Sequence, residues 1–243
     1  SDASENIIAS VMWAANGPKP SGYRDSSVLI LHASSSDGNC VVLPGCASRK
    51  YHSSRRDSFK SINQKPIANI IIQKKEIKII MGDYEPLESR FETQNPKIFN
   101  ENIRIAEFIS GPHIQSELIE AAIKLNFDAL LLHGTGLGHL PISNPENDSI
   151  ENTRLKSVIE DYCLDGGIVV IVAQTINGPI NMNIYSKGRK QQEMGILGHD
   201  SLCPPGSALV KLHYLLSINR EKEYIAKKWS SDLVGENPKF VRE

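Results

Sequence analysis

The segment Arg49-Lys50-Tyr51-His52-Ser53-Ser54-Arg55-Arg56-Asp57-Ser58-Phe59-Lys60-Ser61-Ile62-Asn63 gathers cations, hydroxyls and a carboxylate between two apolar stretches. Its apolar residues, Tyr51, Phe59 and Ile62, are too few and too badly spaced for an amphipathic helix, so it reads as a polar loop between strands. Composition alone makes it a solvated basic loop. Its place between strands is nevertheless where sites are built on rigid scaffolds.

A second candidate is Gly134-Thr135-Gly136-Leu137-Gly138-His139. Its third glycine comes one residue too early for the dinucleotide-binding fingerprint, and Leu140 to Asp148 delay the next helix. A phosphate site at a helix N-terminus is therefore not expected. The glycines instead allow a tight turn or a close approach to a ligand or neighbouring subunit. His139 is a candidate ligand contact, although a lone loop histidine is more often structural or solvated. The amide-rich stretch from Gln174 to Tyr185 reads either as loop side chains bonding their own backbone or as part of a pocket. There is no GxSxG elbow and no HExxH. Cys40, Cys46, Cys163 and Cys203 lack CxxC spacing and a matched histidine pair, which predicts reduced thiols and no metal site.

Helical spacing of Ile7, Ile8, Val11 and Met12 predicts a helix over 4–15, ended by Asn16-Gly17-Pro18. Short strands follow at 28–32 and 39–43 across the turn 34–38, then the basic loop, then a strand pair at 67–72 and 76–80. Residues 82–102 turn polar, with prolines, and read as a linker. From 103 a new pattern alternates apolar strands (103–108, 129–133, 168–172) with helices (116–125, 150–164, 207–217), which means a parallel sheet covered on both faces. Ligands bind beyond the carboxyl ends of such strands, where Gly134–His139 and Ala173-Gln174-Thr175 fall. The net charge of −1 gives no global sign of nucleic-acid binding, and no apolar run is long enough for a membrane span.

Taken in order, several stretches resemble the asparaginase/glutaminase family, and within it the D subunits of archaeal glutamyl-tRNA(Gln) amidotransferases. They are Ser1-Asp-Ala3, Arg49-Lys50 through Ser61-Ile-Asn63, Gly134-Thr-Gly-Leu-Gly-His-Leu-Pro141, Ala173-Gln-Thr175, Asn181-Met-Asn-Ile-Tyr-Ser-Lys-Gly-Arg189, Ala208-Leu-Val-Lys-Leu212 and Leu233-Val-Gly-Glu236. The resemblance implies an asparaginase-like α/β fold: a partial N-terminal α/β domain and a complete, smaller C-terminal α/β domain with a parallel sheet. The corresponding bounds are 1–81 for the first, 82–102 for the linker, 103–220 for the second and 221–243 for a charged tail.

By the same resemblance Lys50 is catalytic. Such a lysine, beside a threonine hydroxyl and an aspartate, relays a proton to favour an attacking alkoxide, and needs partial burial to lower its affinity for that proton. His139 would help complete the substrate pocket of a neighbouring subunit. The family's nucleophilic threonine, second threonine and aspartate precede the point matching Ser1, so the chain is expected to be an N-terminally truncated piece, inactive by itself. Thr135 lies after Lys50 and is not that threonine. The family's acidic segment appears here as His199-Asp-Ser-Leu-Cys-Pro-Pro-Gly-Ser207, and a catalytic acid there is not carried over.

The implied function is a glutaminase-type component of a tRNA-dependent amidotransferase in the cytoplasm, acting on glutamine or asparagine. Its partner would be the amidotransferase's E subunit, which would bind Glu-tRNA(Gln) and use ATP and Mg2+; no cofactor is expected in this chain. A homodimer within a heterotetramer is the implied assembly. A stand-alone L-asparaginase and a non-catalytic scaffold homologue remain open alternatives.

Overall fold

The structure is a computed structural model that describes residues 2–17, 27–73, 76–82 and 99–237. The chain divides into two compact units, residues 1–95 with 233–243, and residues 96–232. Most of the expected linker lies outside the described residues.

The first unit opens with α1 (Asp2–Asn16), followed by β1 (Val28–His32) and β2 (Asn39–Pro44). A single 3-10 turn, Gly45–Ala47, leads to β3 (Ser48–Lys50), β4 (Phe59–Ser61), β5 (Ala68–Gln73) and β6 (Glu76–Met81). The main sheet is antiparallel with order β1-β2-β5-β6. Cross-strand pairs Cys40–Ile70 and Val42–Ala68 bury one face, against which Ala9 and Trp13 of α1 pack. This differs from the sequence expectation for α1. The residues that signalled the helix, Ile7, Ile8 and Val11, are exposed, and a small residue and an aromatic make the contact instead.

The basic segment is also more ordered than a loop. Arg49 pairs with Lys60 and Lys50 with Phe59 in a short antiparallel ladder, and Tyr51 N–H donates to Ser58 O. Three-residue strands with alternating charge carry too little periodicity to be read in advance.

The second unit contains β7 (Ile105–Ile109), α2 (Ser116–Lys124), β8 (Ala129–Gly134), α3 (Ile150–Leu164) and β9 (Val169–Ala173). It continues with α4 (Ser186–Glu193), α5 (Pro205–Ile218) and α6 (Lys222–Trp229). Its sheet is parallel with order β7-β8-β9. Every residue of β9 is buried, as expected for an apolar strand of a parallel sheet covered by helices. The core joins Leu130, Leu132, Val169 and Ile171 to Ile119 of α2 and Leu155 and Ile159 of α3. Truncating one of these to alanine costs about 2–5 kcal/mol.

The segment expected to be a tail from 221 begins as α6, with Ile225 and Trp229 buried. Lys211 of α5 donates to Trp229 O and Ser231 O, placing its charge at the carboxyl end of that helix. Leu233-Val-Gly-Glu236 belongs to the first unit. There Glu236 accepts from Leu233 and Val234 N–H, and Gly235 O accepts from Gln64. Among the described residues no helix is long and apolar enough to cross a membrane.

Candidate functional site

The parallel sheet presents three groups at the carboxyl ends of its strands: Ser110 after β7, the glycine loop after β8 and Gln174 after β9. The loop closes on itself as Thr135 and His139 pair across it, with Thr135 N to His139 O at 3.0 Å and the reverse bond at 2.8 Å. Thr135 Oγ1 also donates to His139 O (3.2 Å), a further bond within the loop. Glycine is required at Gly138, where φ is +97° and a Cβ would sit 2.7 Å from Ile180 Cδ1. A Cβ at Gly134 would meet the backbone of Gly138 at 2.6 Å.

Neighbouring side chains then fix the loop. Gln191 of α4, wholly buried, donates from Nε2 to Gly138 O (2.7 Å) and accepts Leu140 N–H at Oε1 (2.9 Å). Gln174 Nε2 donates to Ser110 O and His133 O, each at 2.6 Å, and Ser110 Oγ donates to His139 O. The amide-rich stretch supplies an Asx turn, Asn183 N–H to Asn181 Oδ1 (3.1 Å), and Asn181 N–H reaches Leu137 O (3.1 Å). Of its amides, Asn181 bonds backbone of its own stretch, Gln174 bonds the backbone of distant residues, and Asn183 bonds the side chains of His199 and Gln192.

His139 is half-buried and meets the Tyr185 ring edge-on at 5.4 Å between centroids. Burial holds its proton affinity below that of an ordinary histidine, and the charge of Lys187 adds to this. Its Nε2 is shielded from solvent and has no hydrogen-bond partner among the described residues. A substrate would meet that nitrogen only after a rearrangement of its surroundings. His199, in the segment where an acid was doubtful, accepts Met182 N–H at Nδ1 (3.2 Å) and lies 2.9 Å from Asn183 Nδ2.

In the first unit, Lys50 ends β3 with its side chain exposed. Among the described residues its ammonium pairs with no carboxylate, and Phe59 lies beneath it at 5.8 Å from the ring centroid. The burial that a proton-relaying lysine needs is not supplied by these surroundings. The rest of the hairpin is engaged in its own contacts. Arg55 grips Asp57 through two bonds of 2.8 Å, and Lys60 approaches the same carboxylate at 3.5 Å. The Arg55 guanidinium holds the Asp57 carboxyl below the usual carboxylate range. Arg56 bonds Asp2 and Asp37.

Sequence reasoning singled out Lys50, the glycine loop, His139 and Gln174. It missed Ser110 and Gln191, and with Gln191 the helix that carries it. Ser186-Lys-Gly-Arg-Lys-Gln-Gln-Glu193 has no apolar periodicity and contains a glycine, so nothing local signals a helix or a buried amide. The one available signal was Gly188, packed against Met182 where a Cβ would clash with backbone.

A family model described as "Glutaminase/Asparaginase C-terminal domain" matches residues 104–228, and one described as "Asparaginase, N-terminal" matches residues 1–83. Among curated relatives, proteins named as the D subunit of glutamyl-tRNA(Gln) amidotransferase are similar over almost the whole chain. That of Methanococcus maripaludis (strain C7) is 34% identical over 97% of this chain and 52% of its own length. That of Aeropyrum pernix is 32% identical over 97% and 51%, and that of Pyrococcus abyssi 31% over 100% and 50%. The chain thus spans about half the length of the curated relatives it matches. Among solved structures, the thermostable L-asparaginase of Thermococcus kodakarensis superposes with a TM-score of 0.73 at 22% identity, covering 98% of this chain and 63% of that one. L-asparaginase I of Vibrio cholerae gives 0.61 at 26% identity, covering 82% and 55%. The fold is asparaginase-like, and the chain belongs to the glutaminase/asparaginase family.

Proposed function

We propose that this chain is part of the glutaminase-type component of a tRNA-dependent amidotransferase. The component would release ammonia from glutamine, or asparagine, for conversion of Glu-tRNA(Gln) to Gln-tRNA(Gln). The observation that carries this reading is similarity along at least 97% of the chain to relatives of that one name. Lys50 is the proposed proton relay. No position among these 243 residues matches the family's nucleophilic threonine, so the reading requires that hydroxyl, and an acid beside Lys50, from outside them. The E subunit of the amidotransferase, with ATP and Mg2+, would activate and amidate the tRNA-bound glutamate. The near-neutral charge of this chain fits tRNA binding mainly by that partner. The proposed location is cytoplasmic, and the proposed assembly a homodimer within a heterotetramer. His139 is proposed to complete a neighbour's pocket, which requires its shielded Nε2 to become accessible.

Ammonia release by the native-length protein, with and without the partner subunit and Glu-tRNA(Gln), tests the reading. Release from glutamine that rises with partner and tRNA is expected. Lys50→Met should lower the turnover about 10²–10⁴-fold, the usual range for loss of a general acid–base group. The 243-residue chain alone should release none. Partner-independent release from asparagine would instead identify a stand-alone asparaginase, and no release under any condition a scaffold.

A further inference from the structure

We propose that Glu5, His32 and Cys40 form a binding site for one zinc-type divalent metal ion, with Asn6 as the residue that orients the imidazole. The site belongs to the first unit and is independent of the amidase chemistry. His32 closes β1 and Cys40 lies opposite it on β2, while Glu5 and Asn6 come from the first turns of α1. The three ligand atoms lie within 4.8 Å of one another. Bonds of about 2.0–2.3 Å in tetrahedral array put ligand atoms about 3.3–3.8 Å apart, so closure needs movements of about 1 Å.

The state of His32 is the second, independent observation. Its side chain is fully shielded, and Nδ1 lies 2.9 Å from Asn6 Oδ1. An amide oxygen only accepts, so Nδ1 donates to it, and in the neutral form of the ring Nε2 would face inward as a bare lone pair. Nε2 sits 3.1 Å from Glu5 Oε2 and 3.9 Å from Asp37 Oδ1 without hydrogen-bond geometry to either. A lone pair facing two carboxylates is repulsive unless a cation intervenes. That cation is either a second ring proton or a metal ion.

The remaining contacts favour metal. An imidazole whose far nitrogen donates to an amide oxygen has the second-shell arrangement found around bound metal ions. Gly38 N–H donates to Glu5 Oε2 at 2.9 Å and orients that carboxylate. The Cys40 thiol is wholly buried and lies 3.8 Å from Asn6 Oδ1. A thiol in such a setting is inert, whereas a metal ion displaces its proton and binds the thiolate. One sulfur, one imidazole and one carboxylate suit Zn2+ and not the hard, oxygen-seeking Mg2+ or Ca2+. Asp37 or a water would complete the tetrahedron. Asp37 is shared with Arg56, whose charge is also balanced by Asp2. Bound there, the ion would fasten α1 to the strand pair beneath it.

The test uses the native-length protein, stripped with a chelator and titrated with Co2+. One equivalent should bind and give a thiolate-to-cobalt charge-transfer absorption that Zn2+ abolishes by displacement. Cys40→Ser should lose that absorption. Glu5→Gln, at a partly exposed side chain expected to leave folding intact, should weaken Co2+ binding at least 10-fold. Asn6→Ala should weaken it about 10–100-fold, as loss of a second-shell partner does. Stoichiometric Co2+ without a thiolate band in the wild type would overturn the proposal. So would a band that survives in folded Cys40→Ser, which would assign the thiolate to Cys46, Cys163 or Cys203. In either case the cluster is a buried imidazolium–carboxylate pair. Because the wild-type spectrum decides the thiolate question, a Cys40 variant that fails to fold does not rescue the idea.

Discussion

The glycine loop after β8 and the hairpin carrying Lys50 are both functional candidates, yet they are built oppositely. The loop is over-determined: three internal backbone bonds, a buried glutamine bonded on either side of His139, two further polar side chains and a residue that must be glycine. The hairpin rests on three residue pairs and on surface ion pairs, and leaves Lys50 exposed. A loop held from within keeps its shape whatever it meets. A hairpin held mostly by solvated charge can be reshaped by what covers it, because exposed ion pairs contribute little. The loop is thus a preformed scaffold, and the hairpin carries a group still awaiting its surroundings.

The largest expected effect comes from removing the glutamine that braces the loop. Gln191→Leu leaves Gly138 O and Leu140 N–H without partners in the interior, at about 1–3 kcal/mol each. A stability loss of about 2–5 kcal/mol in urea, with an unchanged m-value, is expected. A loss under about 1 kcal/mol would mean that water reaches these groups, and that the loop is not the rigid partner in the comparison. Next comes Gly138→Ala, which forces a Cβ into a left-handed backbone and towards Ile180. About 1–3 kcal/mol is expected from the backbone strain. Because Ile180 Cδ1 is the nearest atom, Ile180→Val in the same chain should recover part of it. Purely additive changes in that double-mutant cycle would show that the backbone alone carries the strain.

A pH experiment sharpens the same contrast. Glu151 accepts Ser116 N–H, at the start of α2, and this bond holds its carboxyl below the usual range. A depressed folded value means that the stabilisation is complete above the unfolded value, about 4.3, and is lost as pH falls through the folded one. Glu151→Gln should flatten the acid limb of stability measured below about pH 5. Asp57 in the hairpin titrates with the same sign through Arg55, but that guanidinium is more than half exposed and screened by solvent, so Asp57→Asn should change that limb less. Equal effects would erase the distinction.

How far each region could be read in the sequence follows from what holds it. Continuous apolar runs such as Val169–Ala173 announced the parallel sheet, since burial on both faces leaves a one-dimensional signature. The glycine loop was visible by composition and Lys50 by a family pattern. The braces were not: Gln191 sits in an all-polar helix, and its burial arises only from folding against Gly138 and Leu140. Ladder formation at Lys50–Phe59 was hidden for a related reason, since three-residue strands have no period to detect. The Glu5, His32 and Cys40 cluster draws its residues from three elements, so no spacing rule for metal ligands could have flagged it.

The smallest expected effect completes the comparison. Lys50→Met replaces an exposed ammonium with an apolar group of similar length, which can still lie over Phe59. Surface changes of this kind shift stability by less than about 0.5 kcal/mol, and that is the expectation for the unfolding midpoint. The value of the measurement lies beside the activity assay. Turnover lost with stability kept assigns Lys50 to chemistry, because a structural lysine would be felt in the fold first. A stability loss above about 1 kcal/mol would make the hairpin a structural element like the glycine loop, and any fall in turnover would then report its distortion rather than a proton relay.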